Sequence, residues 1–255
     1  MTDLSQWKAK LKTTPQFGCF ITFASPAITE FTAQIGFDFT LIDNEHGCMN
    51  QETVEDMVRA SQCANVPAIV RIPYNRAELG RRALDFGANG IQIPLIDTKL
   101  NAEEVASYSH FEPNGKRGVA FLTRAANYGM TINKKSYLEQ ANENNLVVIH
   151  IETVEALNNL DEILAVDGID VLFVGPGDLA ISMGYADNPN DKKVIQTINS
   201  TLQKISDAGK IAGTYVNDSE RAKQVIECGA KYIVTSLNHF MINGAKDFLA
   251  KSRVS

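Results

Sequence analysis

The sequence predicts an α/β protein, a single-domain (β/α)8 TIM barrel, from three observations. Eight short apolar runs rich in β-branched and aromatic residues recur along the chain, and helix-like segments separate them. The runs are almost continuously apolar, which is typical of parallel strands buried on both faces. The length of 255 residues suits one barrel domain covering residues 1–255. A doubly wound sheet is the alternative that the same alternation allows.

The predicted strands and helices alternate along the whole chain. Apolar residues at helical spacing are clearest in "NRAELGRRALDFGA" and "SERAKQVIECGA". Several helices end at a glycine just before the next strand, which is the usual signal for a helix C-terminus. The predicted strands are, in order, "FGCFITF", "FDFTLID", "PAIVRI", "GIQIP", "LVVIHIE", "DVLFVG", "KIAGTYV" and "KYIVTS".

One connection, from Asn101 to Asn145, is longer than the others. It begins with a predicted helix, "NAEEVASYSHF", and continues with "EPNGKRGVAFLTRAANYGM" before the next helix. Long loops inside compact domains are often functional. This loop carries Arg117, Arg124 and Tyr128 among small apolar residues. We therefore expect it to lie over the barrel mouth or at a contact between subunits.

The composition argues against several kinds of partner. A net charge of −6 and a sequence pI near 5.3 give no electrostatic case for nucleic acid or for acidic membranes. The start of the sequence lacks the long apolar segment of a signal peptide, and no apolar run reaches transmembrane length. The four cysteines are scattered without a C-x-x-C spacing, which favours a reduced, cytoplasmic setting over disulfides or a zinc site.

Charged residues collect at the ends of the predicted strands. In a TIM barrel the carboxyl ends of the strands form the open face that carries the catalytic groups. Asp43, Glu45 and His46 come at the end of the second strand, and Arg71 comes at the end of the third. An acid, a base and a cation are therefore expected at one face of the barrel.

Two neighbouring strands each lead to a carboxylate. Glu152 ends the fifth strand, and Asp178 follows the sixth within "GPGDLA". Together they could hold a divalent cation, because carboxylate oxygens with positions left for water and substrate suit Mg²⁺ or Mn²⁺. His150 precedes Glu152 by two residues, so its side chain lies on the same face, one layer deeper. The glycines of "GPGDLA" would let backbone N–H groups approach a bound anion.

Each of these residues also has a structural interpretation. Asp178 is suited to cap the helix that follows it. Arg71 and Asp43 are suited to an ordinary salt bridge, and a lone His46 is suited to a structural role. The functional interpretation is favoured because the acid, the base and the cation fall at strand ends of a single face. Residue positions alone therefore predict a metal-dependent enzyme that acts on a small anionic substrate.

The motifs that contain these residues resemble the HpcH/HpaI family of class II pyruvate aldolases. The resemblance runs in order from about Gly18 to Leu237, and the block ending in "GPGDLA" is its most specific part. The family resemblance implies a (β/α)8 barrel, a homo-oligomer that is usually a hexamer, and a last helix that packs on a neighbouring subunit. The motifs are "LIDNEHG", "VRIP", "GANGIQIPLIDT", "GKRGVAFLTRAANYG", "IHIETVEALNNLDEILAVDGIDVLFVGPGDLAISMGY" and "AGKIAGTYV".

The resemblance also implies a role for each residue at a matching position. Glu152 and Asp178 would be the protein ligands of a divalent metal, which could be Mg²⁺, Mn²⁺ or Co²⁺. Arg71 would face the keto oxygen of bound pyruvate, and His46, supported by Asp43, would transfer protons. The substrate-binding positions implied are the backbone at Gly177 and Asp178 for the pyruvate carboxylate, the side chain of His150, and an aldehyde pocket at Tyr215 and Leu237.

The reaction that the resemblance implies is reversible aldol cleavage of a 4-hydroxy-2-oxo acid to pyruvate, or a close 2-oxo acid, and an aldehyde. No lysine lies at a predicted strand end, which disfavours a Schiff-base mechanism. One departure is His150, where family members known for aldol cleavage often carry Gln. Two alternatives are a citrate-synthase-like or acyl-CoA carbon–carbon bond enzyme, for example in siderophore biosynthesis, and a non-catalytic protein that binds a metal and a 2-oxo acid.

Overall fold

The computed structural model describes residues 5–130 and 133–253, and its strands form a closed barrel. Eight parallel strands pair in sequence order, and β8 closes the barrel by pairing with β1. The predicted (β/α)8 barrel is confirmed, and the doubly wound sheet is excluded because such a sheet is open. The strands are β1 (Gln16–Ile21), β2 (Phe39–Asp43), β3 (Ala68–Arg71), β4 (Gly90–Ile93), β5 (Leu146–Ile151), β6 (Val171–Val174), β7 (Ile211–Tyr215) and β8 (Ala230–Ser236).

Helices cover the outside of the barrel and return the chain to the amino-terminal end of the next strand. Side-chain caps stabilise several of their first turns. The carboxamide oxygen of Asn50 accepts a backbone N–H at the start of one helix, and the carboxylate of Asp218 does so at the start of another. The helices in residues 5–130 and 133–253 are α1 (Ser5–Thr13), α2 (Pro26–Ile35), α3 (Gln51–Cys63), α4 (Ala77–Asp85), α5 (Lys99–Ser109), α6 (Lys134–Asn144), α7 (Val154–Asn158), α8 (Leu160–Leu164), α9 (Pro176–Ser182), α10 (Lys192–Asp207), α11 (Ser219–Glu227) and α12 (Leu237–Ser252).

Helix ends follow the predicted glycine signals. Gly209 and Gly229, which follow α10 and α11, have φ values of 78° and 86°. These values lie in the left-handed region, where a Cβ costs conformational energy. At Gly229 a Cβ would also come within 2.5 Å of the Ser206 hydroxyl. Both features explain why the chain turns from helix to strand at a glycine.

Large side chains fill the barrel interior, and alternate strand residues point inward. The Phe39 and Tyr232 rings stack with centroids 4.5 Å apart, and Trp7 on α1 packs on Phe39 at 5.3 Å. Because Trp7 and Leu11 belong to this interior cluster, α1 closes the amino-terminal end of the barrel. The opposite end, where the strands reach their carboxyl termini, is left for polar side chains.

The long connection after α5 packs on the amino-terminal face of its own barrel. Arg117 Nη2 donates to Asp85 Oδ1 at 2.7 Å, and Arg124 Nη1 donates to the carbonyl of Phe86 at 2.8 Å, both at the end of α4. Tyr128, in a short 3-10 segment, accepts a hydrogen bond from Arg59 of α3. The expectation that this loop covers the mouth of its own barrel is therefore wrong. Its alternative, a subunit contact, stays a prediction.

Two further expectations concern the surface and the cysteines. Within the described ranges, no helix is long and apolar enough to cross a membrane. All four cysteines are free thiols: Cys19 is buried, Cys48 and Cys63 are exposed, and Cys228 is half-buried. The expectation of unpaired cysteines is thus met.

Candidate active site

Strand register brings the predicted site residues together at the carboxyl-terminal end of the barrel. Asp43 of β2 is in register with Arg71 of β3, which is in register with Gln92 of β4. His150 of β5 is in register with Phe173 of β6. All of these side chains point into the barrel, because inward positions recur every second residue. The inner part of the site is therefore built on the strands.

Arg71 is fixed by two carboxylates and an aromatic ring. Its Nε and Nη2 donate to the two carboxylate oxygens of Asp43, at 2.9 and 2.7 Å. Its Nη1 lies 3.0 Å from Glu45 Oε2, and its Cζ lies 4.6 Å from the centre of the Phe20 ring. Bidentate pairing and stacking use the planar guanidinium in ways that an ammonium group cannot reproduce.

Asp43 holds the turn after β2 as well as Arg71. Its Oδ1 accepts the backbone N–H groups of Glu45 and His46, both at 3.2 Å. Asp43 is only 1% exposed, so these bonds and the arginine fork satisfy a fully buried carboxylate. Asp43 therefore contacts His46 through its backbone N–H, whereas the imidazole lies near Glu45.

The His46 ring stands at the open side of the mouth. It is 67% exposed, and its Nε2 lies 3.8 Å from Glu45 Oε2. Burial raises the pKa of Glu45 above its usual value, while the positive charge of Arg71 opposes this rise. Glu45 thus links the buried arginine to the exposed histidine, and it is the nearest acid to the His46 ring.

Glu152 is a buried carboxylate with a protein donor on each oxygen. Its Oε1 accepts the backbone N–H of Leu95 at 2.8 Å, and its Oε2 lies 2.7 Å from His150 Nδ1. Burial alone would raise the pKa of Glu152, but His150, the Leu95 amide and Arg71 outweigh it and lower the pKa. The group is therefore held as an anion at the barrel mouth.

Leu95 adopts an unusual backbone conformation to make this bond. Its φ is 54°, in the left-handed region that side chains with a Cβ rarely occupy, and its own side chain is exposed. Such strain is typical of functional sites, where the surrounding structure holds it in place. Here it directs an amide N–H at Glu152.

His150 lies beneath Glu152, as strand periodicity predicts, but both of its ring nitrogens bond to protein. Nδ1 faces Glu152 Oε2, and Nε2 lies 2.6 Å from Gln92 Nε2. The ring stacks on Phe173 with centroids 4.8 Å apart, and the residue is 2% exposed. A direct hydrogen bond from this imidazole to a substrate would therefore require one of these bonds to break.

The chain after β6 passes close to Glu152. A Cβ at Gly175 would come within 2.7 Å of Glu152 Oε2, so the backbone can pass this close to that oxygen only at a glycine. Asp178 follows in the first turn of α9 with an exposed side chain, and no side-chain cap bond holds the start of this helix. A Cβ at Gly177 would meet nothing within 4 Å, so its backbone also borders open space.

These residues fit a divalent cation of the magnesium type. In the described ranges there is no cluster of three or more His, Cys, Asp or Glu side chains suited to a metal. Mg²⁺ does not require one, because it is often bound by one or two carboxylates with water and substrate oxygens completing its shell. Glu152 is anionic and uses one lone pair of each oxygen, and at Gly175 no side chain covers its Oε2.

The two residues predicted for an aldehyde pocket lie across the mouth, on the last two βα units. Tyr215 ends β7 and its ring centroid is 6.3 Å from that of Phe20. Burial raises the pKa of the Tyr215 hydroxyl, and the nearby Cys19 adds to the rise. Leu237, the first residue of α12, is almost fully buried. Phe20 therefore separates this side of the mouth from Arg71.

Sequence reasoning missed four residues that shape the site: Gln92, Tyr232, Phe20 and Leu95. Gln92 carried a usable signal, because it is a polar residue inside the apolar strand "GIQIP". The Tyr232 hydroxyl donates to Gln92 Oε1 at 2.8 Å, deep in the barrel. No local pattern links these two residues, which are 140 positions apart.

Residues 16–242, nearly the whole barrel, match the model of a single protein family. The chain belongs to the HpcH/HpaI aldolase/citrate lyase family. The resemblance described from the sequence motifs is therefore confirmed, and so is the enzyme class of carbon–carbon lyases to which it points.

Named members of the HpcH/HpaI family are similar along most of their length. The hydroxypyruvate/pyruvate aldolase of Roseobacter denitrificans is 32% identical over 237 residues, covering 92% of this chain and 91% of that protein. The 2-keto-3-deoxy-L-rhamnonate aldolase of Shigella sonnei is 34% identical over 237 residues, covering 91% and 86%. A solved family member from Burkholderia cenocepacia J2315 is 30% identical with a TM-score of 0.90, covering 98% and 100%.

A structure with a different activity also matches. The citrate synthase SbnG is 26% identical with a TM-score of 0.87, and the match covers 96% of each chain. The sequence relatives named above are both aldolases and are more similar in sequence. The citrate-synthase-like alternative is therefore weaker than the aldolase interpretation.

Proposed function

We propose that this protein is a divalent-metal-dependent aldolase that reversibly cleaves a 4-hydroxy-2-oxo acid to pyruvate, or a close 2-oxo acid, and an aldehyde. One observation carries the proposal: a fixed guanidinium and an anionic carboxylate, Arg71 and Glu152, share the barrel mouth of an aldolase-family protein. Cleaving this carbon–carbon bond leaves negative charge on the keto oxygen of the 2-oxo acid, and that charge needs stabilisation.

Glu152 and Asp178 are the proposed protein ligands of the cation. Mg²⁺, Mn²⁺ and Co²⁺ all suit oxygen ligands, so the choice among them falls to metal availability. The cation, when bound, supplies a Lewis acid beside the 2-oxo acid. The anionic state of Glu152 and the absence of a side chain at Gly175, where a Cβ would lie 2.7 Å from Glu152 Oε2, support this assignment.

Arg71 is the proposed group that faces the keto oxygen. Its pairing with Asp43 and Glu45 holds the guanidinium in place before substrate arrives, so no reorganisation is needed during the reaction. The backbone N–H groups of Gly177 and Asp178 are proposed to bind the carboxylate of the 2-oxo acid. The open space at Gly177 supports this, because backbone can approach a ligand closely only where side chains are absent.

His46 is the proposed proton-transfer residue. Its exposed imidazole can accept or donate a proton, and the Glu45 carboxylate, 3.8 Å from its Nε2, can orient it. A lysine Schiff base is disfavoured, because Lys231 is the one lysine in the described strands and its Nζ donates to the carbonyl of Lys12 at the amino-terminal end of the barrel. Tyr215 and Leu237 are proposed to line the aldehyde pocket.

The native protein is proposed to be a cytoplasmic homo-oligomer, with a hexamer as the expected form. The final helix, α12, supports this, because it buries one residue, Leu237, and exposes several large apolar side chains. Packing of α12 on a neighbouring subunit would cover that surface. Its large exposed apolar residues are Phe240, Met241, Ile242, Phe248 and Leu249.

Deuterium exchange tests the proposed chemistry without knowledge of the aldehyde. Metal-loaded protein is incubated with pyruvate in deuterated water, and exchange of the methyl protons is followed by NMR. We expect exchange that requires Mg²⁺ or Mn²⁺ and stops with excess chelator. A protein that binds pyruvate without exchange would be the non-catalytic binder. Product analysis with oxaloacetate and acetyl-CoA tests the citrate-synthase-like alternative, and citrate formation there would replace the aldolase proposal.

A further inference from the structure

A chain of three buried hydrogen bonds crosses the barrel and ends at Glu152. The Tyr232 hydroxyl bonds to Gln92 Oε1 at 2.8 Å. Gln92 Nε2 lies 2.6 Å from His150 Nε2, and His150 Nδ1 lies 2.7 Å from Glu152 Oε2. None of the four residues is more than 4% exposed. Strands β4, β5 and β8, together with the residue that follows β5, thus contribute to one continuous polar path inside an apolar core.

The groups at both ends of the path fix the direction of every bond in it. The Gln92 amide nitrogen can only donate, so His150 Nε2 accepts its N–H and the ring proton lies on Nδ1. The ionised Glu152 carboxylate can only accept, and it receives the N–H of Nδ1. The carbonyl oxygen of Gln92 points the other way, where it accepts from the Tyr232 hydroxyl. All three bonds run in the same sense, and bonds arranged in this way polarise one another.

Two contacts leave the His150 ring with a single orientation. Phe173 stacks on its face, with an interplanar angle of 28°, and restricts tilting. The bond from Gln92 holds Nε2 and so prevents the ring from turning over. If the Gln92 amide reversed, its oxygen would face His150 Nε2 and could bond only to a protonated Nε2. The Tyr232 hydroxyl favours the present orientation by donating to the Gln92 oxygen.

We infer that Gln92 and Tyr232 are positioning residues, which hold His150 in the Nδ1–H form so that it fixes the Glu152 carboxylate for its ligand. The inference rests on the proposed function in one respect, the role of Glu152 as a metal ligand. Glu152 Oε1 is already held by the Leu95 amide. With His150 on the other oxygen, the carboxylate cannot rotate, and outer contacts of this kind tune metal affinity.

The arrangement also assigns a purpose to the unusual residue at position 150. A glutamine there would end in a rotatable amide, whereas an imidazole offers two nitrogens on opposite sides of a rigid ring. With this geometry, His150 can bond to Gln92 and to Glu152 at once, so that Gln92 fixes the ring and the ring fixes the carboxylate. We therefore expect His150 and Gln92 to act as a pair, with neither replaceable alone.

The first test reads the tautomer in metal-free protein, so it does not depend on activity. Two-bond ¹H–¹⁵N spectra distinguish a protonated Nδ1 from a protonated Nε2, and the signals lost in His150→Gln identify the residue among the four histidines of the chain. We expect a pure Nδ1–H form in wild-type protein. Tyr232→Phe and Gln92→Met should each move both nitrogens toward the values of mixed tautomers. A wild-type Nε2–H form, or unchanged spectra in both variants, would overturn the inference.

The second test measures Mn²⁺ affinity by electron paramagnetic resonance. Gln92→Met and Tyr232→Phe are expected to weaken binding by roughly 10–100-fold, the usual effect of losing an outer contact of a metal ligand. Gln16→Met is the matched control, because Gln16 is another buried strand glutamine, and its amide bonds to the carbonyl of Pro15 at the far end of the barrel. Wild-type Mn²⁺ affinity in both Gln92→Met and Tyr232→Phe would contradict the positioning role.

The two tests separate this inference from the proposed function. Tyr232→Phe removes a single oxygen from a residue whose ring stays packed on Phe39, so it decides the question if Gln92→Met does not fold. Protein with the expected tautomer and Mn²⁺ affinities but no pyruvate exchange would support the inference and remove the aldolase proposal. Wild-type protein that binds no Mn²⁺ would remove the metal site and with it the purpose inferred for the pair.

Discussion

Arg71 and Asp43 form a bidentate salt bridge, in which Nε donates to Oδ1 at 2.9 Å and Nη2 donates to Oδ2 at 2.7 Å. Both residues end strands that are in register with each other, so the pair is set by the sheet itself. A buried ion pair of this kind costs desolvation energy and is poor evidence for stability alone. Its clearer effect is to orient the remaining nitrogen, Nη1, together with Glu45, at the barrel mouth.

Replacement of Arg71 is expected to affect turnover far more than metal binding. For Arg71→Ala we expect kcat to fall by about 10²–10³-fold, the usual cost of losing one preorganised donor. Arg71→Lys should restore activity only in part, because an ammonium group cannot make the fork to Asp43. Arg71→Ala should also lower Tm, because it leaves the buried Asp43 carboxylate without its partner.

Steady-state kinetics, Mn²⁺ affinity and Tm measured on one preparation separate these effects. Arg117→Lys is the matched control, because Arg117 is also buried and paired with an acid, Asp85, but lies on the opposite face of the barrel. It should lower Tm and leave kcat unchanged. Arg71→Lys with lowered Tm and wild-type kcat would make Arg71 a structural residue only.

The two proposed metal ligands should behave differently in stability and alike in binding. Glu152→Gln and Asp178→Asn are each expected to weaken Mn²⁺ binding by at least about 10-fold while the protein stays folded. Asp178→Asn should leave Tm unchanged, because its side chain is exposed. Isothermal titration of metal-free protein measures the affinity, and Asp187→Asn, another exposed acid a few residues later, is the control. Full activity in excess EDTA would be incompatible with this prediction.

Glu45 should make the stability of the protein depend on pH. Burial raises its pKa above the ordinary 4.5, so its proton is bound more tightly in the folded chain than in the unfolded chain. Stability from this group is therefore complete below the unfolded pKa and is lost as pH rises through the folded pKa. Glu45→Gln, which is neutral at every pH, should gain stability relative to wild type as the pH rises above 4.5.

Urea unfolding of Glu45→Gln and wild type at several pH values measures the difference directly. Glu227→Gln, at an exposed position on α11, should give a curve parallel to that of wild type. A difference between Glu45→Gln and wild type that stays constant with pH would show that the Glu45 carboxyl titrates normally.

The apolar surface of α12 should be required for assembly. Phe248→Asp places a charge on a side chain that is 69% exposed in the single chain, and it is expected to lower the molar mass measured by light scattering. Lys246→Asp puts the same charge on the same helix at an exposed polar position, and it should leave the mass unchanged. A wild-type protein that is monomeric at micromolar concentration would end this proposal.

The barrel could be predicted from the sequence because its strands and helices are each encoded by a short local pattern of residues. Each strand is a short apolar run, and the alternation with helices allows few topologies. The position of Glu152 and Arg71 at the mouth followed from the same rule, since both residues come at strand ends. His150 could be assigned to the face of Glu152 because strand side chains alternate with a period of two.

Other parts of the site depend on which strands face each other across the barrel. Gln92 and Tyr232 bond to each other inside the barrel, and the sequence around one residue gives no sign of the other. The family resemblance implies that Asp43 supports His46, and the contact in the structure is the bond from the His46 backbone N–H to Asp43 Oδ1. Asp43 is an inward strand residue, so its carboxylate reaches Arg71, while His46 stands on the turn.

The position of the long loop follows from the direction of helix α5. Helix α5 runs opposite to the strands, so a segment that follows it starts at the amino-terminal face of the barrel. The bond from Arg117 to Asp85 keeps it there. A contact with the mouth of another subunit would need the exposed side chains of this loop, among them Leu122, to extend outward.

The mouth is divided between two arcs of the barrel wall. Asp43, Arg71 and Glu152 belong to strands two to five, whereas Tyr215 and Leu237 belong to the last two units, beyond Phe20. Substitutions in one arc leave the ion pairs of the other untouched. With the proposed aldehyde pocket at Tyr215 and Leu237, a lineage built on this barrel could exchange its aldehyde and keep the same 2-oxo acid. Directed evolution of acceptor range would best begin at those last two units.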